Sequence, residues 1–451
     1  MAEDIINRWN CLAVAPHDAG FERQQCIDEG RDFSLVAEEY DALVKQDLFD
    51  PKVQGAMQAM LDRTVKLPMR KDYPYVEPSD LEGIRKARGK GPALAALTLT
   101  RDEIKKRMYG AWIGRCCGCL LGKPVECVQR ENQWGFLKEA GQWPLTYYFR
   151  RHPAAQEKYK IGGYPMLESI PAAMVCDDDT NYTVIGLNIL KNYGRDFKPI
   201  DVAHYWHCSV PLLQTCTAER VAYRNFANLI MPPASASYRN IYREAIGAQI
   251  RADFFGYVCP GHPELAAEFA WRDASISHVK NGIYGEMWVA AMLAAAFVTD
   301  DIPTIIEAGL AQIPATSRFY EAIQKVLGWY RAGITVDEAQ DRIHAEWDEK
   351  QGYCWVHAIS NAMIVTTGLL WGRGDYGMTI CTAVQAALDT DCNGATAGSV
   401  FGAAFGVDRI DARWTDPIND TLQTSVAGYP SVRISALADE TLELAERIKT
   451  I

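Results

Sequence analysis

The sequence predicts an all-α fold. Apolar residues recur at helical spacing along most of the chain, and long alternating strand patterns are hard to find. Two capping boxes, Ser79-Asp80-Leu81-Glu82 and Thr100-Arg101-Asp102-Glu103, mark helix starts by offering side-chain oxygens to orphan backbone N–H groups. Two glycine series with a spacing of four, Gly110-Gly114-Gly118-Gly122 and Gly394-Gly398-Gly402-Gly406, would each form a bare strip along a helix.

Residues 1–99 are expected to form a helical extension on a larger domain, residues 100–451. Asp50-Pro51 opens a helix with Val53, Met57, Met60 and Leu61 at helical spacing. Pro68, Pro74 and Pro78 then mark an extended connection to a short helix that starts at the Ser79 box and closes in Arg85, Lys86 and Arg88. The basic run Arg85 to Lys90 reads as a solvated helix end. The larger domain starts at the Thr100 box, with Ile104, Met108, Ala111 and Trp112 along one face. Helical periodicity recurs over 181–191, 201–213, 282–298, 318–330, 355–371, 379–388 and 394–405, and 434–449 reads as a last amphipathic helix.

Composition narrows the function classes. With 48% hydrophobic and 23% charged residues, the 451-residue chain is globular. The apolar stretch Met287 to Val298 is too short to span a bilayer, and the amino terminus lacks a basic region leading into an apolar one, so neither a membrane partner nor a secretory leader is expected. A net charge of -11 disfavours nucleic acid as the main partner. Thirteen cysteines, several inside apolar helical patterns, point to reduced core thiols and a cytoplasmic location. The C-x-x-C within Cys116-Cys117-Gly118-Cys119 has no second pair at zinc-site spacing and reads as core.

The glycine series and the acidic residues belong together. Each helical glycine costs about 1 kcal/mol relative to alanine, so a run of four calls for a close approach of two buried helices to offset it. That approach would bring Asp389 and Asp391, just before one series, near Gly122-Lys123-Pro124-Val125-Glu126 at the end of the other. A second acidic cluster, Asp177-Asp178-Asp179-Thr180, precedes another apolar run. Consecutive aspartates there can serve simply as a helix cap. Five carboxylates entering apolar segments would, however, repel one another and lose hydration unless a cation compensated them. Carboxylates with a threonine hydroxyl and no paired histidines are hard oxygen donors suited to Mg²⁺, Mn²⁺ or Ca²⁺ rather than zinc.

Gly114, Gly118, Gly122, Pro124 and Glu126, then Asp178-Asp179-Thr180, Ser277-His278, and Asp389-Thr390-Asp391 with Gly398 together resemble the ADP-ribosylglycohydrolase superfamily, over roughly residues 100–415. The resemblance implies a compact orthogonal multi-helix bundle with two Mg²⁺ ions at the base of a cleft, and hydrolysis of a bond to the anomeric carbon of a ribose. It implies Asp178, Asp179, Asp389 and Asp391 as metal ligands, with Thr180 as a further ligand or orienter. Glu126 corresponds to a gate or acid/base, and Asp177 and Asp179 are further candidates for the chemistry. His278 falls near the substrate, and Arg251, within Gly247 to Arg251, could orient a polar substrate group. Asp177 and Cys392 stand where many relatives have threonine, and Ile246 where they often have asparagine. An added carboxylate makes the pocket more hostile to pyrophosphate, which points to a branch with a smaller ribosyl-type substrate.

Two ions about 3.5–4 Å apart could grip vicinal hydroxyls and hold water against the anomeric carbon, while carboxylates stabilise an oxocarbenium-like transition state. The expected substrate is a small-molecule riboside or an ADP-ribosyl adduct. Two other readings stand beside this one: a non-catalytic relative, as in lens crystallins of this fold, and a metal-dependent phosphoesterase. The sequence does not give the oligomeric state.

Overall fold

The computed structural model describes residues 11–451; the start of the expected extension, residues 1–10, lies outside the described residues. The extension contributes α1 (Ala19–Asp28), α2 (Ala37–Val44), α3 (Pro51–Thr64) and α4 (Leu81–Ala87). Asp50 caps α3 as expected, its carboxylate accepting from the Lys52 N–H at 2.7 Å. The cap of α4 falls one residue later than expected. Asp80 accepts from the Gly83 N–H at 2.7 Å, while the Ser79 hydroxyl oxygen accepts from the Lys280 N–H at 3.1 Å. The basic run is also more than a solvated end, because Arg85 and Arg88 reach Glu268 and Glu264 at 2.7 and 3.0 Å and dock α4 on the main domain.

The main domain opens with α5 (Arg101–Gly122), where the Thr100 and Glu103 box is formed in both directions. The elements that build its centre are α6 (Asp178–Tyr193), α7 (Thr217–Ala227), α8 (Pro263–Ala274), α9 (Lys280–Ala296), α10 (Ala358–Trp371), α11 (Tyr376–Gln385), α12 (Thr390–Phe405) and α13 (Ile434–Arg447). Each stretch with helical periodicity contains a helix. The stretch at 355–371 is interrupted at His357, which separates a short helix, Gly352–Val356, from α10 and caps the latter by accepting from the Ile359 N–H. A short antiparallel hairpin, Thr421–Gln423 with Ser431–Arg433, is the sheet among the described residues. The protein is therefore all-α in class. Among those residues, no helix is long and apolar enough to cross a membrane.

Helix α9 forms the middle of the core and is buried from Asn281 to Ala296, as a helix apolar on all sides must be. Helix α12 is buried from Thr390 to Ala404. It lies antiparallel on α5, with Gly110 facing Gly402, Gly114 facing Gly398, Gly118 facing Gly394, and Gly122 facing Thr390. A methyl group on any of these α5 glycines would run into backbone atoms of the partner helix. Gly406 differs from the rest of its series: it has φ +77° and ends α12 as a cap, and although its backbone meets Gly110, its own Cβ position faces no backbone of α5 at close range.

Residues 11–99 are bound to the rest of the chain by apolar packing and by buried charge. Phe21, Cys26, Tyr40, Met57 and Met60 share a cluster with Val221, Tyr242, Tyr353 and Val356. Beneath it, the Arg243 guanidinium pairs with Glu22 at 2.6 Å and with Glu29 at 2.7 Å, all three buried. Arg318 similarly joins Glu77 of the extension (2.9 Å) to Glu244 (2.8 Å). Removing one partner of such a group leaves an uncompensated charge in a low dielectric.

Gly118→Ala should lower unfolding stability by about 3 kcal/mol, because the obstruction is a helix backbone, whereas Gly55→Ala in α3, where an added methyl meets nothing, should cost nothing and gain up to about 1 kcal/mol. Denaturation midpoints distinguish the two positions, and equal losses would refute the backbone contact. Arg243→Met should cost about 3–5 kcal/mol by stranding Glu22 and Glu29. A loss below about 1 kcal/mol in the same measurement would show that the extension is not held by this charge group.

Candidate metal centre

The first acidic cluster starts α6. Asp177 has extended backbone angles and caps the helix, its Oδ1 accepting from the Asp179 N–H at 2.9 Å. Asp178 and Asp179 therefore occupy the first turn, where the helix dipole favours negative charge. Capping and clustering are thus properties of the same residues. The second cluster occupies the tight junction between α11 and α12. Ala387 and Leu388 are both left-handed (φ 65° and 60°), a conformation that costs about 1–2 kcal/mol per residue without a glycine. Asn361 of α10 holds the turn that follows, its Oδ1 accepting from the Asp389 N–H at 3.1 Å and from Asn393 Nδ2 at 2.8 Å. The Thr390 hydroxyl donates to the Gly122 carbonyl at 2.8 Å, so the second cluster is fastened to the end of α5.

The two clusters meet. Ligand atoms of Cys119, Asp177, Asp179 and Asp391 lie within 4.8 Å of one another, and so do those of Asp389, Asp391 and Cys392. Asp391 belongs to both groups. Asp178 and Glu126 stand at the margin of these groups, Asp178 half-buried and the Glu126 side chain 39% exposed. Thr180 is buried, and its hydroxyl donates to the Asp177 carbonyl at 3.3 Å.

Two basic side chains enter this region. Arg115, on α5, is fully buried and pairs with Asp179 at 3.1 Å and with Asp253 at 2.8 Å. Lys123, just past the end of α5, holds Asp177 Oδ2 in a close ion pair and lies 3.7 Å from Glu126. They leave the repulsion incompletely relieved. The charge on Asp391, reinforced by burial, pushes Glu126 up to about 9. Burial, then the charges on Asp177 and Asp391, push Asp178 up to about 8. Burial foremost also raises Asp179, Asp389 and Asp391 above the usual carboxylate range. Asp389 and Asp391 act on each other through a side-chain hydrogen bond.

The donor chemistry fits a hard divalent cation. Carboxylate oxygens predominate, and a cation among them would reverse the pressure that raises their pKa values. The two thiols do not fit as ligands. Burial holds Cys119 and Cys392 well above the ordinary thiol range, so both stay protonated, and the Cys392 thiol donates to Asp179 Oδ2 at 3.1 Å. Asp179 is consequently engaged at both oxygens, by Arg115 and by Cys392.

Two residues expected at the substrate have other surroundings. Arg251 is buried, and its guanidinium is taken up by Glu219 at 2.6 Å, Asp273 at 2.5 Å and the Ser277 hydroxyl at 3.0 Å. Its position therefore differs from the expectation: it orients internal carboxylates. His278 is buried and kept neutral by desolvation, shares a hydrogen bond with Ser277 at 2.8 Å, and lines a largely apolar cavity of about 660 Å³ with Trp271, Val279 and Ile283.

Sequence reasoning missed Arg115, Lys123 and Asn361. Arg115 lies inside an otherwise apolar helix, where a buried cation calls for a buried acid, and Lys123 directly precedes Pro124 and Glu126 of the recognised pattern. Both could have been flagged on those grounds. Asn361 carries no local signal.

The family model described as ADP-ribosylglycohydrolase matches residues 100–450. Among solved structures the chain is similar to one described as an ADP-ribosylglycohydrolase-related protein complex, with 18% identity, a TM-score of 0.43, and coverage of 77% of this chain and 98% of that chain. No curated protein sequence matches. Because the family model takes in nearly all of the chain beyond the extension, together with both acidic clusters and both glycine series, the chain belongs to the ADP-ribosylglycohydrolase family.

Proposed function

We propose that this protein is a Mg²⁺-dependent glycoside hydrolase that cleaves a ribosyl-type N- or O-glycosidic bond, on an ADP-ribosyl adduct or a related small-molecule riboside. The observation that carries the proposal is the convergence of two sequence-distant acidic clusters where α5 and α12 cross. A divalent cation held there would supply Lewis-acid charge toward sugar hydroxyls and a water. Asp389, Asp391 and Asp178 are the carboxylates best suited to hold it, with Asp179 and Thr180 shaping their positions.

Glu126 is the residue suited to proton transfer. It is the more exposed acid at the margin of the centre, placed where an acid can give its proton to a departing group. Asp177 is less suited, since its oxygens serve the α6 cap and Lys123. The carboxyl oxygens around Asp391 favour the positive charge that develops on an oxocarbenium-like sugar. The free thiols support a reducing compartment, and we assign the chain to the cytoplasm.

Nucleosides, ADP-ribosyl compounds and simple furanosides, assayed with and without chelator, test the proposal. Chelator-sensitive release of free sugar is expected, release of phosphate would favour a phosphoesterase, and inactivity with metal bound would favour a non-catalytic relative. Asp391→Ala should lower kcat/KM by about a thousandfold or more, and Glu126→Gln should lower kcat by about 10²–10⁴-fold while leaving cation affinity in place. Full turnover by Asp391→Ala would refute the proposal.

Stability should respond to pH through the same carboxylates. Groups raised to about 8 and about 9 in the folded chain contribute stability at low pH that is lost as the pH rises through those values. The Tm difference between Mg²⁺-loaded and chelated protein should therefore widen from pH 6 to pH 9, and a difference that stays flat would count against cation relief of these groups.

A further inference from the structure

We infer that Lys123 is a resident cation of the acidic centre: its ammonium takes the charge-compensating place of one divalent ion, so the centre binds a single divalent cation. This rests on the reading above that the acidic centre is a metal centre. The sequence resemblance implies two ions, so the inference concerns what distinguishes this chain.

Three observations carry it. Lys123 Nζ sits on Asp177 Oδ2 and 3.7 Å from Glu126, with the lysine side chain only 23% exposed and that of Asp177 fully buried. Asp177 is the carboxylate in excess of the two aspartate pairs, so an extra acid and a nearby base form an internally compensated unit. The other Asp177 oxygen is taken by the Asp179 N–H at 2.9 Å, which leaves this acid little capacity for a metal.

The two ligand groups differ in what else they offer. Each group holds one thiol, a poor ligand for Mg²⁺, and they share Asp391, so the difference lies in the remaining acids: the first group has Asp177 and Asp179, with Asp179 already engaged by Arg115. An ammonium on Asp177 repels a dication placed among the same oxygens. The group of Asp389 and Asp391 is different: among the described residues, no lysine or arginine nitrogen forms an ion pair with either acid. A single divalent ion therefore belongs on the Asp389 and Asp391 side, with Lys123 balancing the other. Lysine is suited to this place, being a compact charge that cannot be released by chelators.

Counting Mn²⁺ on the full-length protein tests this, by calorimetric titration together with electron paramagnetic resonance. The wild-type chain should bind one Mn²⁺ with an uncoupled spectrum. Lys123→Met, which removes the charge and keeps most of the volume, should bind a second ion and give the spin-coupled signal of two nearby Mn²⁺. Lys123→Arg should keep a count of one. Two ions in the wild type, or one ion in a folded Lys123→Met protein, would overturn the inference. The wild-type count decides alone if the variant does not fold. No Mn²⁺ bound by any form would instead overturn the metal-centre reading itself.

Discussion

The backbone contact between α5 and α12 sets the geometry on which the centre depends. A helix pair this close leaves no room for Cβ atoms, so opposed glycines recur at every turn from Gly110 and Gly402 to Gly118 and Gly394. At the end of the contact Gly122 meets Thr390, and the threonine hydroxyl bonds to the glycine carbonyl. That contact fixes Asp389 and Asp391 beside Lys123 and Glu126. From within the same α5, Arg115 reaches Asp179 and Thr183 of α6, bringing in the first acidic cluster. One helix thus organises three sides of the centre, and its glycines trade local helix stability for that arrangement.

The chain handles buried charge in two different ways. At the extension interface, Arg243 and Arg318 each meet two glutamates in close pairs, and Glu29 and Glu244 are held below the ordinary carboxylate range despite their burial. At the acidic centre, Arg115 and Lys123 face several carboxylates that are nevertheless raised. Matched charges fasten elements together, whereas the excess of converging carboxylates over basic groups at the centre leaves a place for an added cation. The left-handed pair Ala387 and Leu388 just before Asp389 adds local strain at the same location.

What the sequence revealed follows from how local each constraint is. The glycine series was legible because backbone contact imposes one residue type at a fixed spacing, and the Thr100 box was legible because a cap uses neighbours. Helix α7 was missed although Ala218, Val221, Ala222 and Phe226 keep a helical period, and the burial of its Glu219 and Arg220 carries no local signal. Arg115 shows the same limit at the centre: its partners Asp179 and Asp253 come from distant parts of the chain, so no spacing rule joins them. Arg251 was expected at a ligand because Gly247 to Arg251 resembles a segment that shapes the substrate pocket in the family. Only the fold reveals Glu219 and Asp273 already on it.

Asp177 and Cys392, where this chain departs from the resembling pattern, each remove capacity from the centre rather than add to it. Asp177 brings a carboxylate but commits it to a helix cap and to Lys123. Cys392 brings a thiol that donates to Asp179 Oδ2, while Arg115 holds the other oxygen. The first aspartate pair is thereby divided, with Asp179 held at both oxygens and Asp178 the more open member. Open capacity then collects around Asp391, which is shared by both ligand groups and contributes the largest charge effect on Glu126. Occupancy near Asp391 would lower the pressure that keeps Glu126 protonated, which couples cation binding to the proton available at the mouth of the centre.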